Sequence, residues 1–80
     1  MALSFQPVRV GVGHDGEGRL VYADDVLAAV LVQLGPIHGP MTGWWFLEAG
    51  FGPLDVPNPP TFEHLEAAQG WVERRLNGGA

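Results

Sequence analysis

The stretch Gly43 to Phe51, GWWFLEAGF, holds two of the three tryptophans and two of the four phenylalanines. Read as a strand, its side chains alternate between two faces. Trp45, Leu47, Ala49 and Phe51 point one way, and Trp44, Phe46 and Glu48 the other. Both faces are largely apolar, so both require cover. An element that supplies cover for one face is easy to find in this chain. Cover for the other face is the question that decides how the protein behaves.

The first cover is the C-terminal stretch Thr61 to Leu76, TFEHLEAAQGWVERRL. Phe62, Leu65, Gln69, Val72 and Leu76 recur at spacings of three and four, with Ala68 and Trp71 widening the stripe. Thr61 is the expected N-cap, and Glu63 and Glu66 fall where the helix dipole favours acids. Arg74 and Arg75 fall at the opposite end, and Asn77, Gly78 and Gly79 stop the helix. Packing against the sheet is expected to bury Leu65, Val72 and Leu76 against Trp45, Leu47 and Phe51. Between strand and helix, Gly52 to Pro60 contains four prolines. Proline has no N–H for a ladder or a helix, so this stretch reads as an extended connector that crosses the sheet.

Upstream, Met1 to Gln6 reads as a lead-in, and Val8, Val10 and Val12 as the apolar face of a short strand. His14 to Gly18, HDGEG, reads as a turn and Leu20 to Ala23 as its hairpin partner. Asp24 to Leu34, DDVLAAVLVQL, supports two readings. As a helix it is capped by Asp24 and stopped by Gly35 and Pro36. As a strand it turns at Asp24-Asp25 and uses the β-favouring Val26, Val30 and Val32. The strand reading is preferred; it places Val26, Ala28, Val30, Val32 and Leu34 on one face, and Leu27, Ala29 and Leu31 on the other. Gly35 to Thr42, with two Gly-Pro steps, is a loop.

A chain of 80 residues is one domain, residues 1–80, and buries only about 60–65% of its unfolded surface. Small domains of this kind gain stability from disulfides, metals or association. Cysteine is absent, which removes disulfides and thiolate sites and suits a reducing, cytoplasmic setting. Only 16% of residues are charged, against about 25% in an average domain, and a thinly charged surface favours self-association. Net charge is −5, with four arginines and no lysine. Nucleic-acid binding needs clustered cations, and here only Arg74 and Arg75 are adjacent, so no nucleic-acid partner is expected. No run approaches the 18 apolar residues of a membrane span, and the N-terminus lacks the basic start and long apolar run of a signal peptide.

Motifs that carry chemistry are sparse. Gly11 to Gly16 fits G-x-G-x-x-G in form, but EGRLVYA follows it as a strand, not as the helix that a dinucleotide fold requires. His14, Asp15 and Glu17 share one turn and are the residues a metal or acid–base site would use; as solvated turn residues they need no such role. His38 sits in a loop, and His64 falls in the first helical turn. No cofactor, metal or catalytic group is assigned. Glu48 is out of place in the row of Trp44 and Phe46, where a charge needs an edge, a partner or water; Arg9 or Arg19 on a neighbouring strand would pair with it. Trp44, Phe46 and Tyr22 form an aromatic set suited to packing or to a protein interface.

The strand-then-helix order, with F-x-x-L-E-A-A-Q-x-W within residues 44 to 76, resembles small uncharacterised bacterial domains in which a short antiparallel sheet runs into one helix. That resemblance implies a fold and no activity. The plan is also similar to the arm-binding domain of phage integrases, whose basic DNA-reading residues this chain lacks. The expected fold is α+β: an antiparallel three- to four-stranded sheet with one C-terminal helix packed on one face. The expected function is a non-enzymatic protein-interaction module, a homodimer through the opposite sheet face with Trp44, Phe46 and Tyr22 at its interface. Two alternatives are an acidic inhibitor or partner of a basic protein surface, and a metal-binding or hydrolytic domain using His14, Asp15 and Glu17.

Overall fold

The structure, a computed structural model, describes residues 2–11 and 16–78. Five strands and one helix follow in the order β1 (Leu3–Arg9), β2 (Glu17–Ala23), β3 (Val26–Gln33), β4 (Trp45–Gly50), β5 (Thr61–Phe62) and α1 (Leu65–Leu76). Each strand pairs antiparallel with the next, so the sheet order is the chain order. The fold is α+β, as the sequence implies, with one strand more than the three or four expected. No helix among the described residues is long and apolar enough to cross a membrane.

The N-terminal half shifts by several residues from its expected place. Leu3–Arg9, not Val8–Val12, is the first strand, with Leu3 opposite Ala23 and Arg9 opposite Glu17. Pro7 lies inside it, tolerated because β1 is an edge strand. The Val10 N–H still donates to the Gly16 carbonyl at 2.9 Å, so the hairpin continues past β1. The next hairpin turns at Asp24-Asp25, with Asp24 at φ 58°, a value short hairpin turns demand and aspartate accepts better than most residues. Asp24 also ties down the chain start: its carboxylate accepts from the Ala2 N–H at 3.0 Å, and its own N–H donates to the Ala2 carbonyl at 2.7 Å.

The ambiguous stretch is a strand, β3, at the centre of the sheet. Its faces differ from strict alternation because it carries a β-bulge. Val21 pairs with Ala29 and Tyr22 with Leu27, leaving Ala28 as the extra residue. Ala28 and Ala29 both join the core, with Val21, Leu31, Trp45, Leu47, Leu54, Phe62, Ala68 and Val72. Leu27 therefore moves to the face of Val30 and Val32. A bulge turns two successive residues to one side.

α1 covers the core face. Ala68 and Val72 are fully buried, and Leu65, Trp71 and Leu76 pack partly against the cluster. Phe51 does not join them: it is 48% exposed, because β4 ends at Gly50 and the chain turns away through Gly52–Leu54. Its place is taken by Leu54, completely buried. The proline-rich segment therefore does not simply cross the sheet. It inserts Leu54 into the core, then returns beside β4, where Thr61 and Phe62 pair with Phe46 and Trp45. The helix consequently begins four residues later than Thr61. Its cap is His64, whose Nδ1 accepts from the Ala67 N–H at 3.1 Å.

An Nδ1 that accepts this bond carries no proton, so its 3.4 Å approach to Glu66 is not an ion pair in the capped form. Imidazole is a less common cap than a short hydroxyl. Replacing His64 with serine should stabilise the domain by about 0.5 kcal/mol, raising Tm by about 2–4 °C in a thermal melt. A lower Tm would show that the imidazole is the better cap here.

Candidate functional site

The opposite sheet face is where function is to be sought, since among the described residues no α-helix covers it. Leu3 and Phe5 pack towards the core, so the alternate positions Ser4, Gln6 and Val8 of β1 face away. Their partners on β2 are Tyr22, Leu20 and Gly18. β3 adds Leu27, Val30 and Val32, and β4 adds Phe46 opposite Val32. This outer face is apolar along its centre and half-buried at Leu20, Tyr22, Leu27 and Val30. Val8 and Val10 lean over Gly18, where an added Cβ would meet the Val10 side chain at 2.5 Å.

At one end the face hollows into a half-open cleft of about 650 Å³. Val32 and Leu34, both buried, make its floor. Val10, Met41 and Phe46 line it, with Gly11, His38, Glu48 and Thr61. The Gly35–Thr42 loop that brings Met41 and His38 there is two short 3-10 turns, kinked at Gly39 (φ 60°). It is closed at its base by Gly43 N–H to Leu34 O and Leu34 N–H to Trp44 O, both 2.8 Å. The Thr42 hydroxyl donates to the Gly39 carbonyl at 2.5 Å, which braces the kink.

Glu48 lines the cleft and sits at a second bulge. Leu31 pairs with Leu47 and Val30 with Ala49, so Glu48 is the extra residue on β4. It is exposed, which answers the need of a charge in an apolar row. The expected pairing with Arg9 or Arg19 does not form. Arg19 lies on the other face, its guanidinium 2.5 Å from Glu17 and 4.9 Å from the Trp45 ring centre. Among the described residues no salt bridge involves Glu48.

The aromatic set is divided. Tyr22 and Phe46 share the outer face, but Tyr22 pairs with Leu27 and Phe46 with Val32, about 15 Å apart along β3. Trp44 precedes β4 and is half-buried, its N–H donating to the Met41 carbonyl at 3.0 Å. Of the turn trio, His14 and Asp15 lie outside the described residues, and Glu17 belongs to β2. Among the described residues no three His, Cys, Asp or Glu side chains come together to hold a metal. Arg75 donates to the Pro53 carbonyl at 2.9 Å and lies over the Trp71 ring, so the cations are dispersed rather than clustered.

Against known proteins the chain stands apart: no known family matches it, and neither a curated protein nor a solved structure does. The sequence marks Glu48 as anomalous. The cleft beside it had no sequence signal, because it depends on where the Gly35–Thr42 loop lies.

Proposed function

We propose that the chain is a small, non-enzymatic protein-interaction module that self-associates through the outer sheet face. The observation supporting this reading is the chemistry of that face. From Tyr22 and Leu20 through Leu27 and Val30 to Phe46 it presents partly exposed apolar side chains, and Glu48 is the sole charge among its β2–β4 positions. Contiguous apolar surface of this kind marks an interface. A two-fold arrangement buries one such patch against itself and needs no second kind of chain. The small core of an 80-residue domain gains most from such burial. Absence of cysteine fits a cytoplasmic setting for the assembly.

Light scattering with mass determination tests this. The expected mass is twice the 8.6 kDa of one chain. Tyr22→Asp and Phe46→Asp, at the two ends of the face, should each lower the dimer's affinity by about tenfold or more while leaving a folded domain. A native protein that stays at the mass of one chain at high concentration would refute the reading. Capture of a basic partner that is lost in high salt would replace it with the acidic-partner alternative.

A further inference from the structure

We infer that the cleft beside Glu48 is a binding site for a small organic ammonium ion with an apolar body. This rests on the cleft and on Glu48, not on self-association, and concerns the end of the outer face away from Tyr22. A volume of about 650 Å³ is in the range of small-ligand sites, which are mostly apolar with a few placed polar groups. Here the apolar part is the floor of Val32 and Leu34 and the walls of Met41 and Phe46.

The polar part selects for positive charge. Glu48 lines the cleft and is the residue that the β4 bulge leaves out of the ladder with β3, a feature that recurs beside binding sites. Phe46, two residues earlier on the same face, offers a ring whose π face attracts a cation. A carboxylate and an aromatic ring side by side are the pair that recognises an ammonium group. Among the described residues no arginine lines the cleft. Arg9, next to the lining Val10, extends its guanidinium beside Gly16 instead, and Arg19 is held by Glu17 on the opposite face, so neither strand arginine is among the groups a carboxylate or phosphate ligand would meet in the cleft. The Thr61 side chain, brought alongside by β5 opposite Phe46, adds a hydroxyl that accepts from an ammonium N–H.

The test compares two probes of one shape and opposite charge, 4-phenylbutylammonium and 4-phenylbutanoate, by amide shift perturbation in NMR of the full chain. The mass is determined in the same samples. The ammonium probe should saturate with shifts centred on Val32, Phe46, Glu48 and Thr61, at least about tenfold more tightly than the carboxylate. Glu48→Gln, at an exposed position, should keep the fold and abolish that preference. Equal affinity for both probes would overturn the assignment of ligand class, and shifts elsewhere or none at all would overturn the site. A protein of dimer mass that binds neither probe, as the native chain and as the Tyr22→Asp chain at single-chain mass alike, refutes the cleft alone. A protein of single-chain mass that binds the ammonium probe refutes self-association alone.

Discussion

Gly50→Ala should remove about 3 kcal/mol or more of the protein's stability. A Cβ built on Gly50 lies 2.0 Å from the Leu54 carbonyl oxygen and 2.5 Å from its carbon. Both atoms belong to the backbone of the tight turn Gly52–Leu54, held by Leu54 N–H to Phe51 O and Asp55 N–H to Gly52 O at 3.2 and 3.0 Å. A rotamer change cannot relieve a collision with backbone; the turn itself must move, withdrawing Leu54 from the core. Overpacking typically costs about 1–3 kcal/mol, and a backbone collision of this depth lies at or above the top of that range. A domain of this length has about 4–12 kcal/mol in all. Urea unfolding should show a loss of about 3 kcal/mol or more, with Leu54→Ala in the same chain giving no rescue, since the obstructing atoms remain. A Gly50→Ala protein of native midpoint would mean that the turn does not pack as described.

How far the sequence predicts this arrangement varies element by element. The later half of α1 follows from the three-and-four spacing of Leu65, Ala68, Val72 and Leu76 and from basic residues at its end. Its start does not, because Thr61 is a better cap than His64 by propensity. What overrides propensity is pairing: β4 has open backbone groups at Trp45 and Phe46, and Thr61–Phe62 satisfy them. A two-residue strand has no period to read, so β5 has no signature among the prolines. β3 is readable as a strand from its valines and from Asp24-Asp25. Its bulge is not, since the two residues turned to one side are both alanines and look alike in any register.

The candidate site divides in the same way. An apolar outer face follows from the double-sided hydrophobicity of β3 and β4, and the helix, only 12 residues long, covers just one side. Alternation groups residues only within each strand; the registers of β2, β3 and β4 bring Tyr22 and Phe46 to one face. Their separation depends on strand register, which the bulges set. Glu48 is conspicuous in the sequence as a charge among aromatics, and the physical reason it is tolerated is exposure at the mouth of a cleft. The cleft itself is a tertiary feature. Val32 and Leu34 become its buried floor only because a loop with little hydrophobic pattern, GPIHGPMT, folds back across them.

Leu54→Ala should be nearly as damaging as the glycine change, for the opposite reason. Leu54 is fully buried, in one cluster with Leu31, Leu47 and Val72. It comes from the connector rather than from a strand or the helix, so it is the side chain that fastens the proline-rich segment to the sheet. Val56 adds only a partly buried contact, and the Arg75 bond to the Pro53 carbonyl is exposed. Truncation leaves a cavity that the neighbours cannot fill, and such leucine-to-alanine changes cost about 2–5 kcal/mol. Here the turn is braced within itself by its two hydrogen bonds, which resists collapse into the void, so a cost near the middle of that range is expected. Thermal melts should show Tm lower by about 14–28 °C. Hydrogen exchange adds a readout specific to position: amides of β5 and the first turn of α1 should lose protection before those of β2 and β3. Uniform loss across the sheet would show that Leu54 stabilises the whole fold and not, in particular, the return of the chain beside β4.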